Sequence, residues 1–172
     1  TVSQFETAVA ELTALGMKAM VLDVRDNPGG MITAVTGVLD DILPEGTVVY
    51  TQDKYEKRQD YTSDEEKQMD CPLAVLMNGN SASASEILAG AIRDFEYGTL
   101  IGTKTFGKGV VQSILPLSDG DAIKLTTAKY FTPKGENIHG TGILPDVELE
   151  YEYSGDKEEE YNELLDNQVQ KA

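Results

Sequence analysis

The chain has 172 residues, 40% of them hydrophobic, with 30 acidic against 14 basic side chains and a formal net charge of −16. That length supports one core-bearing domain, and the apolar content excludes a disordered polyelectrolyte. The negative field repels phosphate backbones and weighs against nucleic acid as a partner.

One cysteine, Cys71, excludes an internal disulfide and a multi-cysteine zinc site; one histidine, His139, excludes a multi-histidine metal centre, so no cofactor or metal is expected. Cys71 opens an apolar strand and reads as a buried structural thiol. No apolar run approaches the roughly 18 residues of a membrane span. The start at Thr1, with no basic-then-apolar leader behind it, reads as an excised piece of a longer protein.

Phe5, Val9, Leu12 and Leu15 recur at helical spacing and Gly16 stops them, which predicts an amphipathic helix over residues 4–15. Residues 19–24 then read as a buried strand that ends in the turn Asp26-Asn27-Pro28-Gly29-Gly30. A second helix is expected over 31–42, with Ile32, Val35, Val38, Leu39 and Ile42 on its apolar side, followed by a short strand at Thr47–Tyr50. Residues 51–70 are rich in charge, Gln and Tyr, and read as a solvated loop or hairpin.

Pro72–Met77 predicts another buried strand, and Asn78-Gly79-Asn80 turns the chain into a helix from about Ser83 to Phe95. A strand at Thr99–Gly102 follows. Val110–Leu115 and Ala122–Phe131 flank Ser118-Asp119-Gly120-Asp121 as the arms of a β-hairpin. Strand–helix alternation followed by hairpins predicts a mixed α/β domain over residues 1–150. Residues 151–172 form an acidic C-terminal segment, with a terminal helix expected over 161–171 around Leu164, Leu165 and Val169.

Chemistry concentrates in two short stretches, Asn80-Ser81-Ala82-Ser83-Ala84-Ser85-Glu86 and Thr105-Phe106-Gly107-Lys108-Gly109. Ser83 and Glu86 spell a capping box, which by itself explains a serine at a helix start. The same position suits a nucleophile: Ala82 and Ala84 leave room for a carbonyl, and the free amides of a helix N-terminus favour a developing oxyanion. Catalysis and capping compete for one hydroxyl, so Ser81 or Ser85 is the alternative cap. A neutral lysine amine can accept the serine proton, as histidine does in better-known triads. Lysine ordinarily titrates near 10.4, and an apolar pocket lowers that value, so Lys108 between two glycines is the candidate base, although taken without Ser83 it reads as an ordinary solvated loop lysine.

Gln112, four residues on in an expected strand, would share the face of Lys108 and Val110, where it is either a residue that orients the amine or a plain surface glutamine. The Gly29-Gly30 turn lets backbone amides approach a ligand closely and is a candidate second oxyanion donor beside the Ala84 amide. His139, in a glycine turn with no acidic residue near in sequence, reads as loop-organising. Asp94 lies three helical turns from Ser83, too far to join it, and reads as a structural partner for a loop amide or a basic side chain.

These motifs together resemble the carboxy-terminal processing peptidases, also called tail-specific proteases. Leu22–Gly30 is similar to their strand-and-oxyanion turn, Asn80–Leu88 to their nucleophile motif and Thr105–Gln112 to their lysine motif. Ile138–Asp146 resembles a stretch near the end of their catalytic domain. The resemblance implies Ser83 as nucleophile, Lys108 as general base, Gln112 as the residue positioning it, and Gly29, Gly30 and Ala84 as oxyanion donors. It implies a crotonase-like, ClpP-like α/β fold with a mixed sheet and β-hairpins, no metal, and protein or peptide substrates cut near their C-termini. It also implies work outside the cytoplasm, a PDZ domain in the full-length parent, and further strands before the first helix; oligomeric state stays open. Two other readings share the fold: a non-catalytic peptide-binding module and an acyl-CoA enzyme of crotonase type.

Overall fold

The computed structural model describes residues 1–66, 69–156 and 158–172. In chain order the elements are α1 (Val2–Ala14), β1 (Met20–Asp23), α2 (Ile32–Ile42), β2 (Gly46–Asp53), β3 (Arg58–Ser63), β4 (Leu73–Met77) and α3 (Ala84–Asp94). There follow β5 (Thr99–Gly102), β6 (Val110–Pro116), β7 (Ala122–Phe131), β8 (Val147–Glu148), a 3₁₀ turn (Glu163–Leu165) and α4 (Asn167–Lys171). The architecture is mixed α/β, with parallel and antiparallel pairing separated into two sheets. One is parallel in the order β1-β4-β5-β8; the other is antiparallel in the order β3-β2-β7-β6.

The parallel sheet is the scaffold of the site. β4 reads Leu-Ala-Val-Leu-Met and is buried at every position, as expected of a strand covered on both faces. Leu73, Val75 and Met77 face one way and pack with Val38, Leu39 and Ile42 of α2 and Leu88 and Ile92 of α3. Ala74 and Leu76 face the other way with Ile101 of β5 and meet Val147, Leu149 and Val169. The second face is therefore covered by the end of the chain. β1 pairs with β4 from Met20↔Leu73 to Asp23↔Leu76, so both strands end at the same level.

Most predicted elements stand within a few residues of their expected bounds, and the charged stretch is a hairpin made by β2 and β3; Lys67 and Gln68 of that stretch lie outside the described residues. Cys71 precedes β4 and is half-buried against the core. The expected helix over 161–171 is replaced by a 3₁₀ turn and the short α4. Its physical reason is Asp166, which sits in an extended conformation and caps α4 by accepting the amides of Gln168 and Val169. Leu164, meant for the apolar side of a long helix, is 68% exposed. Two-residue β8 went unread because so short a strand carries no periodicity. Among the described residues no helix is long and apolar enough to cross a membrane.

Candidate active site

Three serines crowd the start of α3, and the structure gives them different work. Ser81 is fully buried; its hydroxyl donates to the Val24 carbonyl at 2.7 Å and accepts the Asn78 amide at 2.9 Å. Ser85 donates to the Asn27 carbonyl at 3.0 Å. Both hydroxyls tie the α3 loop to the turn after β1. Ser83 remains as the N-cap of α3, with φ 56° and ψ −113°, a region that side-chain-bearing residues rarely enter. The capping-box pair with Glu86 is present, yet the Ser83 hydroxyl makes no cap hydrogen bond of full geometry. Neither alternative cap is used, because Ser81 and Ser85 are engaged elsewhere.

Glu86 explains how so strained a residue is held. Its carboxylate is 1% exposed and accepts the Ser83 amide at 2.9 Å, the Thr105 hydroxyl at 2.6 Å, the Gly107 amide at 2.7 Å and the Lys108 amide at 2.8 Å. One buried anion thus joins the serine loop to the lysine loop, its charge balanced by four donors. Thr105 extends the network, its oxygen accepting the Ile143 amide at 2.7 Å. The Tyr130 hydroxyl donates to the Ser83 carbonyl at 3.2 Å. Burial, reinforced by the Glu86 charge, pushes the Tyr130 phenol far above its ordinary value, so it stays a donor.

Ser83, Lys108 and Gln112 line one cavity of about 450 Å³, together with Gly30, Ile32, Ile87, Val110, Lys124 and Tyr130. Lys108 is half-buried against apolar walls. Among the described residues no direct hydrogen bond joins its amine to the Ser83 hydroxyl. Lys108 precedes β6 rather than lying in it, so the face-sharing expected from strand alternation does not apply. An irregularity in the β6–β7 register between Val111 and Gln112 re-aims the strand there, and Val110, Val111 and Gln112 all reach the cavity.

The Gly29-Gly30 turn is brought against the Ser83 backbone. The Ala82 amide donates to the Asn27 carbonyl at 3.1 Å. Gly29 has φ +89°, and a Cβ built on it would stand 2.4 Å from the Ala82 carbonyl oxygen and 2.5 Å from the Ala84 nitrogen. Only glycine fits that contact. The Gly29 amide donates to Asn27 Oδ1 at 2.9 Å, whereas the Gly30 and Ala84 amides have no hydrogen-bond partner among the described residues. On the far side of this turn lies a second, largely apolar cavity of about 460 Å³ bounded by Phe5, Leu22, Val35 and Leu88, with Gly30 and Met31 in the shared wall.

Asp26, also at positive φ, braces the same turn: its carboxylate accepts Asn80 Nδ2 at 2.8 Å and Asn78 Nδ2 at 3.1 Å. Those bonds hold the Asp26 carboxyl below the usual carboxylate range. Asp94 takes the structural role expected of it, accepting the Lys134 amide at 2.9 Å and pairing with Arg93 at 2.8 Å. His139 is exposed, lies outside the serine cavity and packs its backbone against Gly109. Among the described residues no three His, Cys, Asp or Glu side chains gather to hold a metal ion. Glu86 and Tyr130 are the site residues that sequence reasoning missed. Glu86 was visible only as a capping-box partner, and nothing local to Tyr130 signals a contact with residue 83.

The model of peptidase family S41 matches residues 1–149. A carboxyl-terminal-processing protease of Synechocystis sp. is 46% identical over 143 residues, covering 83% of this chain and 34% of that protein. A chloroplastic C-terminal processing peptidase of Tetradesmus obliquus is 39% identical over 153 residues, covering 88% of this chain and 33% of that protein. The solved photosystem II D1 C-terminal processing protease superposes with a TM-score of 0.80 at 39% identity, over 87% of this chain and 39% of that one. Mature CPAF shares the fold at 13% identity, with a TM-score of 0.71 over 86% of this chain and 42% of that one. The chain spans about a third of the length of these curated relatives. On the match over residues 1–149, it belongs to peptidase family S41.

Proposed function

We propose that the chain is the catalytic core of a serine endopeptidase working through a Ser83–Lys108 dyad. The observation that carries the reading is the contrast among the three serines: Ser81 and Ser85 are tied to structural carbonyls, while Ser83 is held in a strained conformation inside a cavity shared with Lys108. In the reaction the Lys108 amine takes the Ser83 hydroxyl proton as Oγ bonds to the scissile carbonyl carbon. The resulting oxyanion meets the Gly30 and Ala84 amides at the start of α3. The Gly29 amide joins them only by releasing Asn27 Oδ1. Lys108 then protonates the departing amine, the C–N bond breaks, and an acyl-Ser83 ester remains. Water, losing its proton to Lys108, hydrolyses that ester and restores Ser83. Gln112 orients the amine, and the dyad closes to hydrogen-bond distance when substrate fills the cavity.

The names of its relatives support protein substrates cut near their C-termini. As in the family resemblance, the whole protein works outside the cytoplasm and presents substrate termini through a PDZ domain. The test is turnover by the whole protein: Ser83→Ala and Lys108→Ala each abolish cleavage while leaving the circular dichroism spectrum unchanged. Normal turnover by either variant overturns the dyad; peptide binding without turnover by the unmutated protein makes it a binding module.

A further inference from the structure

We propose that Asp166 and Gln168, in the C-terminal segment beyond the family match, are positioning residues that act through Arg25 on the oxyanion turn. The proposal rests on the peptidase reading above. Arg25 follows β1 and immediately precedes Asp26-Asn27-Pro28-Gly29-Gly30. Its guanidinium is only 10% exposed and is held from two sides. On its own strand it bonds Asp23, at 2.6 Å from Nη2 to Oδ2. From the tail it receives Asp166, at 2.8 Å from Nη1 to Oδ2, and Gln168, at 2.9 Å from Nη1 to Oε1.

The tail groups are the more firmly placed. Asp166 is fully buried and Gln168 is 1% exposed. Asp166 also accepts the Tyr161 hydroxyl at 2.7 Å, and Gln168 Nε2 donates to the Leu149 carbonyl at 2.6 Å. The Tyr151 ring stands 5.2 Å from the guanidinium carbon. The side chain of Asp23, by contrast, is 46% exposed and only two residues away, so it can follow Arg25 outward. The turn buries little surface of its own: Asp26, Asn27, Pro28 and Gly30 are exposed. Its position is therefore set by hydrogen bonds, through Asp26 and Asn27 to the serine loop and through Arg25 to the tail. Without Asp166 a nearly buried guanidinium loses its buried counter-charge and swings toward solvent with Asp23, carrying the start of the turn with it. Oxyanion donors are sensitive to such displacement, since each acts only at hydrogen-bond distance.

The experiment uses the whole protein that carries this chain and reads two rates: peptide turnover, and labelling of Ser83 by a fluorophosphonate probe. Asp166→Asn is expected to lower both kcat and the labelling rate by about tenfold or more, with KM within about twofold. Val169→Ala loosens the same helix against Ala74, Leu76 and Ile101 without touching Arg25, and keeps wild-type rates when assayed well below its Tm. If Asp166→Asn does not fold, Gln168→Ala reads the same effect more mildly, with a labelling rate about threefold lower. Wild-type labelling by the variant read, or equal slowing by Val169→Ala, overturns the proposal. A Ser83→Ala protein that still labels removes the peptidase reading instead, whatever the tail variants do.

Discussion

Glu86 Oε2 accepts the backbone amides of both Ser83 and Lys108, at 2.9 and 2.8 Å, so one oxygen atom spaces the two residues of the proposed dyad. The spacing is made through backbone, leaving both side chains free for the cavity. Glu86→Gln keeps the shape but turns an NH₂ toward two of the four donors. The expected cost is about 2–4 kcal/mol of stability. Turnover is expected to fall about a hundredfold or more because two loops shift together. Urea denaturation and steady-state kinetics on the same preparation check both numbers.

The three serines should separate by phenotype. Ser81→Ala leaves the Asn78 amide without its acceptor in a buried place and is expected to cost about 1–3 kcal/mol. Ser83→Ala removes only the loose capping-box contact of its side chain with the Glu86 amide and should stay within about 0.5 kcal/mol of wild type. Thermal unfolding of the two variants side by side decides it; a large loss for Ser83→Ala would make that hydroxyl a cap after all.

Gly29→Ala places a methyl group inside the Ala82 and Ala84 backbone, at a φ of +89°. One of the two loops must move, and fluorophosphonate labelling of Ser83 is expected to fall about a hundredfold or more. Gly30→Ala meets nothing within 4 Å and should fold normally. Melting curves and labelling rates for the pair test the contrast.

Asp166 also gives the tail a pH signature. Burial by itself raises its carboxyl, but bonds from Tyr161, the Val169 amide and Arg25, with the Arg25 charge, outweigh this and hold it below the ordinary range. A carboxyl depressed on folding contributes stability that is full above its unfolded value near 3.9 and is lost as pH falls through the folded value. The stability gap between wild type and Asp166→Asn should therefore be constant at neutral pH and shrink below about pH 4. Denaturant titrations at pH 7, 5 and 3 measure it; a gap that widens in acid contradicts the assignment.

Much of this was readable in the sequence because its signals are local. The apolar run at Ala19–Val24, the Gly29-Gly30 turn, the Ser83 helix start and the hairpin around Gly120 each carry their own pattern within a few residues. What escaped was made by contacts across the chain. The acid at position 86 looks like any capping-box partner until the Thr105–Lys108 loop folds onto it. Leu164, Leu165 and Val169 suggested one helix; a nearly buried arginine 143 positions before Gln168 bonds Asp166 and Gln168, and Asp166 caps the short helix that remains. Gln112 reaches the cavity through a register irregularity that no alternation pattern announces.

The in-register pairing of β1 with β4 works as a ruler for the site. The Gly29-Gly30 turn leaves the end of one strand and the serine loop the end of its neighbour, with four paired residues between them and the start of each strand. Adding or removing one residue in either strand would displace one loop by about 3.3 Å and exchange the buried faces. Length changes should therefore be lethal in β1 and β4, whereas the exposed turn between β2 and β3 should accept them. The distance between the two loops is thus set by counting residues in a sheet that lends no side chain to the Ser83 cavity.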